Sequence, residues 1–207
     1  MLLCIALCFS TALFAQRKQI VDRIVATIEG EPVMASELDE LRKFQQLLGG
    51  PAVAEKDLMR RRAEQWIIAA DAQASRFPRP AAADVDKELA RLAAQFASPD
   101  AYAARLRELE LRAESVKHLV GQQLYFSRYL DARFRPTVQV EERDIEAYYR
   151  NDLARQMAAR GQQLPPLDTV REQIRELLTQ RQISERAGRW LDENRERLRI
   201  IVHGGKD

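Results

Sequence analysis

The feature that most constrains the fold is the recurrence of apolar side chains at spacings of three and four residues between positions 59 and 77. The apolar positions in this stretch are Met59, Ala63, Trp66, Ile67, Ala70, Ala74 and Phe77. Residues at these spacings lie on one face of an α-helix, so the pattern predicts an amphipathic helix. Pro78 and Pro80 follow at once and predict where that helix ends.

Similar patterns along the chain predict further helices and hence a mainly α fold. Ser36 is expected to cap a helix that runs to about Leu48, just before Gly49 and Gly50. Ser98 followed by Pro99 predicts another helix start, since serine caps and proline suits the first helical position. Further helices are expected after Asp84 and over residues 112–134, 141–160 and 168–197.

Two short segments near the ends of the chain predict a small β element. Residues 21–28 are rich in β-branched side chains and are followed by a turn at Glu29-Gly30 and a short return strand from Pro32. Residues 200–202 form a second β-rich segment. Neither segment satisfies its backbone hydrogen bonds alone, so we expect the C-terminal strand to pair with the N-terminal one and complete the fold.

The charge balance bears on the class of partner. The 207 residues contain 33 Lys and Arg and 31 Asp and Glu, which gives a net charge of +2. The charges are interspersed, without the basic face that nucleic-acid binding requires, so no nucleic-acid partner is expected. Even the run Arg60-Arg61-Arg62 fans out around a helix and is read as a solvated face.

The N-terminal residues 1–15 are apolar and uncharged and end in alanine. They are too short to span a bilayer but match the apolar region of a signal peptide, with cleavage after Ala12 or Ala15. Cys4 and Cys8 both lie in this segment, so a cleaved chain has no cysteine, which suits an oxidising compartment. The prediction is export to the periplasm; because no basic residue precedes the apolar run, a buried N-terminal helix is the alternative.

The sequence lacks the motifs of the commonest enzymatic chemistry. No phosphate-binding Gly-x-x-x-x-Gly-Lys-Ser/Thr loop occurs, and no Gly-x-Gly-x-x-Gly follows a strand. His118 and His203 are far apart and have no His or Cys partner at ligand spacing. Adjacent acidic pairs such as Glu141-Glu142 do not face one another on a helix. We therefore expect no catalytic residues, no metal and no cofactor.

Several of these segments together resemble the SurA-type periplasmic chaperones. The segments that carry the resemblance are residues 21–33, the Ser36-Glu37-Leu38 helix start, Val138-x-Val140, residues 144–149, Val170-x-x-x-Ile174, Trp190-Leu191 and residues 200–202. They resemble the opening hairpin, the exit helix and the returning C-terminal helix and strand of that family. Glu29 stands where the family often has Asn, so the turn is expected to differ in detail.

The resemblance implies a domain layout. Residues 1–15 would be the signal peptide, 20–150 a helical SurA N-terminal-like domain, and 168–203 a C-terminal helix and strand that pack on it. The family inserts one or two parvulin-type prolyl isomerase domains between these parts. Here only a linker over residues 151–167 is left, whereas a domain needs about 50 residues. A peptidyl-prolyl isomerase is therefore the least favoured interpretation.

The function implied by the resemblance is an ATP-independent holdase for unfolded or outer-membrane-bound polypeptides. The alternative is a non-catalytic envelope adaptor that binds one folded partner. A client-binding surface is predicted at Tyr125, Tyr129 and Ala132, which project away from the apolar stripe of the long helix. Exposed tyrosines suit promiscuous binding because a rigid ring carries a polar tip. The competing hypothesis is that the terminal helix bearing Trp190 covers this face.

Overall fold

A computed structural model describes residues 22–203 of the chain, so the predicted signal segment lies outside the described residues. A small antiparallel sheet has the strand order β2-β1-β3, with β1 at Ile24–Ile28, β2 at Glu31–Met34 and β3 at Ile200–Val202. The main helices are α1 Ala35–Leu47, α2 Glu55–Ala74, α3 Ala82–Ala93, α4 Pro99–Glu108, α5 Ala113–Phe134, α6 Glu142–Tyr148, α7 Ala154–Ala159 and α8 Leu167–Arg195. The mainly α class with a small β element is confirmed.

The sheet joins the two ends of the described chain. Strand β1 pairs with β2 through a turn in which Glu29 has φ 50° and Gly30 has φ 88°. Pro32 lies on β2, an edge strand, where its missing N–H costs no ladder hydrogen bond. Strand β3 pairs with the other side of β1, with Ala26 opposite Val202. The C-terminal strand thus completes the N-terminal hairpin.

Two serines were expected to cap helices; one of these predictions is wrong and the other is confirmed. The first helix starts two residues earlier than predicted, with Met34 at its N-cap, so the predicted role of Ser36 is wrong. The Ser36 hydroxyl instead donates to the carboxylate of Asp22 and holds the pKa of that acid below its ordinary value. At α4 the prediction is confirmed, because Ser98 Oγ accepts a hydrogen bond from Ala101 N at 3.1 Å.

The helical stretch predicted for residues 141–160 is interrupted in its middle. A π-helical turn over Tyr149–Leu153 connects α6 to α7. Residues 160–166 then lead into α8, and the Tyr149 hydroxyl donates to Pro165 O at 2.7 Å. This hydrogen bond ties the connection back to the helical body.

Within residues 22–203, four apolar clusters form the core, and α5 takes part in two of them. The first packs the sheet on α1 and α2, and the second joins the ends of α1 and α3 to α4 and the start of α5. The third joins α2, the second half of α5 and α8, and the fourth joins α6 to α8. Because α5 has neighbours on two sides, it is the central helix of the fold.

Helix α8 connects the later part of the chain to the earlier part. It contacts α2, α5 and α6, and Arg195 Nη1 lies 3.2 Å from Glu64 Oε1 of α2. In the first half of α8, the Glu176 carboxylate accepts two hydrogen bonds from the Arg135 guanidinium, from Nη1 at 3.0 Å and from Nη2 at 2.7 Å. Between Asp22 and His203, no helix combines the length and apolarity needed to cross a membrane.

Candidate functional site

The structure buries the two tyrosines that were predicted to bind clients. Tyr125 is 7% exposed and Tyr129 is 3% exposed, and the Phe77 ring lies 5.9 and 5.3 Å from theirs. Trp190 and Leu191 of α8 pack against the same cluster. The expectation of an exposed tyrosine face is therefore wrong, and the competing hypothesis that α8 covers it agrees with the packing.

Hydrogen bonds explain why these core positions are tyrosine. The Tyr129 hydroxyl donates to the Asp71 carboxylate and accepts from Arg133 Nη1 at 3.1 Å. Burial, helped by the nearby Asp71 carboxylate, raises the pKa of Tyr129 above its ordinary value. The Tyr125 hydroxyl donates to Phe77 O at 3.3 Å. Ala132, the third predicted residue, is exposed.

An extended concave surface lies between α2 and α5. Two adjoining concavities of about 240 and 410 Å³ share Ala69, Gln122 and Phe126, so they form one continuous open trough, which we call the α2–α5 groove. A third concavity, of about 360 Å³, adjoins this groove between α5 and the start of α3. Gln122 of α5 lines all three. The half-buried Trp66 and Phe126 provide apolar walls. The groove is open to solvent along its length, as an extended ligand requires.

The spacing of side chains along the two helices creates the groove. On α2, Trp66, Ala69 and Gln73 lie three and four residues apart and therefore share a face. On α5, Leu119, Gln122 and Phe126 do the same. The small Ala69 lies between larger neighbours and lines both the 240 Å³ and the 410 Å³ part of the trough. Because the Ala69 side chain is short, the floor of the groove is deeper at this position than beside its larger neighbours.

Three glutamines give the groove a polar lining within its apolar walls. The side-chain amides of Gln65, Gln73 and Gln122 make no hydrogen bond with any of residues 22–203. Each amide offers two N–H donors and one carbonyl acceptor. Such groups suit the N–H and C=O groups of a polypeptide backbone, which every protein sequence carries.

The two ends of the groove differ in charge. Glu31, Glu37 and Glu40 line the end near the sheet, together with Arg62. Arg76 and Arg79 line the far end, in the 410 Å³ concavity, whose lining within residues 22–203 contains no carboxylate. Glu114 and Lys117, of opposite charge, line the adjoining 360 Å³ concavity that Arg79 also borders. The guanidinium of Arg79 lies 5.2 Å from the centre of the Tyr125 ring, in a cation–π arrangement. An occupant therefore meets opposite electrostatic environments at its two ends.

A second concavity of about 310 Å³ lies on the other side of α5. Phe44, Leu92 and Val120 form its apolar floor, and Glu88 and Arg91 are among the polar residues of its rim. Its floor belongs to the second core cluster.

The remaining sequence candidates lie in ordinary surroundings. His118 is exposed at the groove edge, and among residues 22–203 no group of three or more His, Cys, Asp or Glu residues is arranged to hold a metal ion. Within the triple-arginine run, Arg60 lies 3.9 Å from Asp57, Arg61 donates to Gln45 Oε1 at 3.1 Å, and Arg62 lies 3.9 Å from Glu37. All three arginines therefore have polar or acidic neighbours within the same chain.

The groove residues were not identified from the sequence. The periodicity of the sequence places Trp66 on an apolar helix face, and no motif in the sequence singles out Gln65, Gln73 or Gln122. The signal that could have found them is the presence of glutamines next to apolar stripes, around the small Ala69. No protein-family model matches the sequence, and no curated protein matches it significantly.

Proposed function

We propose that this protein is an ATP-independent holdase of the bacterial periplasm, which binds unfolded segments of exported polypeptides in the α2–α5 groove. The observation that carries the proposal is the open trough with apolar walls at Trp66 and Phe126 and glutamine amides that lack partners within residues 22–203. Apolar walls take up client side chains, while the amides bind the main chain. This combination accepts many sequences instead of one.

The length of the groove suits an extended segment. Along α2 the lining runs from Arg62 to Arg76 near its end. At about 1.5 Å per residue this is about 20 Å. An extended chain advances about 3.3 Å per residue, so about six residues of a client fit. A contact of this size supports reversible binding, which a holdase needs in order to release its clients.

Holdase action follows from binding alone. A protein that binds the unfolded state lowers the free concentration of that state and thereby slows aggregation. No ATP and no reactive group are required. The periplasmic location rests on the apolar segment of residues 1–15 and on the resemblance to the SurA-type chaperones, and the missing isomerase insert favours a purely binding role.

The decisive experiment fills the groove without touching the core. Ala69→Arg places a long side chain in the middle of the trough, and Ala104→Arg, on the exposed face of α4, is the matched control. The measurement is light scattering from a chemically denatured test protein without ATP, with circular dichroism melting of each variant. Wild type and Ala104→Arg should suppress aggregation, and Ala69→Arg should lose most of this effect at a similar melting temperature.

The result that opposes the proposal is equally specific. If the wild-type protein does not suppress aggregation at any ratio to the test protein, it is not a holdase. If Ala69→Arg protects as well as Ala104→Arg does, clients bind elsewhere. An envelope adaptor, the alternative interpretation, would give no protection of unfolded protein and would bind one folded partner in a fixed ratio.

A further inference from the structure

The acidic end of the groove has more negative charge than its own cations neutralise. Glu37 Oε2 accepts from Met34 N at 3.0 Å and lies 3.9 Å from Arg62 Nε. Glu40 accepts from Ser115 Oγ at 2.9 Å, and its nearest cation, Arg112, is 4.0 Å away.

Glu31 is exposed and forms no ion pair with a residue of the described range. Three carboxylates therefore face one lining arginine, and this end attracts a positive charge.

The basic end has the opposite imbalance. Arg76 and Arg79 are exposed, and neither forms an ion pair with any of residues 22–203. The nearby Asp71 carboxylate is occupied by Arg133, at 2.6 Å, and by the Tyr129 hydroxyl. The stacking of Arg79 on Tyr125 holds one guanidinium at the rim of the groove. This end therefore attracts a carboxylate.

We propose that the groove prefers client segments that carry a basic residue and an acidic residue about six positions apart, separated by uncharged and partly apolar residues. This inference rests on the proposed holdase function and adds a substrate preference to it. The basic side chain lies against Glu31 and Glu37, and the acidic side chain lies against Arg76 and Arg79. The spacing follows from the distance of about 20 Å between the two ends.

Four peptides with blocked termini and one shared core of alternating Phe, Ser and Leu test the preference. They carry Lys and Asp, two Lys, two Asp, or two Gln at positions about six residues apart. Fluorescence anisotropy gives their dissociation constants at low salt. The Lys/Asp peptide should bind about tenfold tighter than the two like-charged peptides, because it gains two ion pairs where they gain one and meet one repulsion. Added salt should reduce this difference.

A charge reversal at the basic end provides the matched variant. Arg76→Glu with Arg79→Glu should reverse the ranking, so that the two-Lys peptide binds tighter than the Lys/Asp peptide. The control is Arg107→Glu with Arg160→Glu, which changes the net charge equally at exposed arginines outside the groove and outside any ion pair of the described residues. This control should keep the wild-type ranking.

Failure of the preference and failure of the holdase function give different results. Equal affinity of all four peptides, unchanged by the reversal at Arg76 and Arg79, would overturn the charge preference and leave the holdase proposal standing. An unchanged Lys/Asp advantage in that variant would also overturn it, because the advantage would then arise elsewhere. If no peptide binds and aggregation is not suppressed, both proposals fall.

Discussion

Glu29 and Arg199 are joined by two hydrogen bonds across 170 positions of the chain. The Glu29 N–H donates to Arg199 O at 3.0 Å, and Glu29 Oε1 accepts from Arg199 N at 2.6 Å. The same Glu29 has φ 50°, a conformation that L-residues other than Asn and Asp seldom adopt. The contact with Arg199 explains why a glutamate is present in this turn.

Replacement of Glu29 by Ala should lower the free energy of unfolding by about 1 kcal/mol, because the acceptor for Arg199 N is lost while φ stays positive. Urea unfolding followed by circular dichroism measures the change. Glu193→Ala, at an exposed position of α8 without an ion pair among the described residues, should stay within about 0.5 kcal/mol of wild type. Equal effects of the two changes would show that the Glu29 contact contributes nothing.

The sheet could be predicted from the sequence because its strands β1 and β3 each have a local signal, a short run rich in β-branched residues. Two β-rich segments occur in the chain, Ile24–Ile28 and Ile200–Val202, and each is too short to be stable alone. Pairing satisfies the backbone hydrogen bonds of both, and the structure shows this pairing. The contact of Glu29 with Arg199 could not be predicted. Its geometry depends on the exact register between β1 and β3, which no local pattern contains.

The faces of α5 show the limit of helical periodicity. The pattern gives the angle between residues but not the neighbour that covers each face. Val116 and Val120 pack in the cluster with α3 and α4, whereas Tyr125 and Tyr129 pack in the cluster with α2 and α8. Because the helix changes neighbours along its length, two opposite sectors are both buried. The groove depends in the same way on the pairing of α2 with α5.

The tyrosine pair should behave as core under mutation. Tyr125→Ser combined with Tyr129→Ser removes two rings that are 7% and 3% exposed, so we expect a loss of more than about 4 kcal/mol of unfolding free energy. Ala132→Ser, at the exposed third position of the predicted set, should change stability by less than about 0.5 kcal/mol. Melting curves of both variants provide the test. A double variant that melts like wild type would contradict the packing of the pair.

The ion pair of Glu176 with Arg135 should make stability depend on pH in the acidic range. Arg135 lowers the pKa of Glu176 from 4.5 to about 2, so the folded state favours the charged carboxylate. The stabilisation is therefore complete above about pH 4.5 and is lost as the pH falls towards about 2. Glu176→Gln should lose up to about 1 kcal/mol at neutral pH, since the pair is solvent-exposed, and should be less sensitive to acid than wild type.

Urea unfolding at several pH values measures this effect. Glu185→Gln, at an exposed position on the same helix, is the control and should follow the wild-type pH profile. The Asp131 carboxylate, whose pKa is also lowered by Arg135, remains in the Glu176→Gln variant and leaves it some acid sensitivity. Identical profiles for Glu176→Gln and wild type would show that the pair does not contribute to stability.

Replacement by alanine should raise the free energy of unfolding at one glycine and lower it at another. Gly188 lies inside α8, and a Cβ built on it meets no other atom within 4 Å. Gly188→Ala should therefore stabilise the protein by about 0.5–1 kcal/mol, since alanine is the better helix former and has less freedom in the unfolded chain.

Gly161 follows α7 with φ 64°, a conformation in which a Cβ is strained even though the space is open. Gly161→Ala should cost about 1 kcal/mol. Chemical denaturation of both variants decides the matter, and a loss of stability in Gly188→Ala would contradict the open surroundings of that helix position.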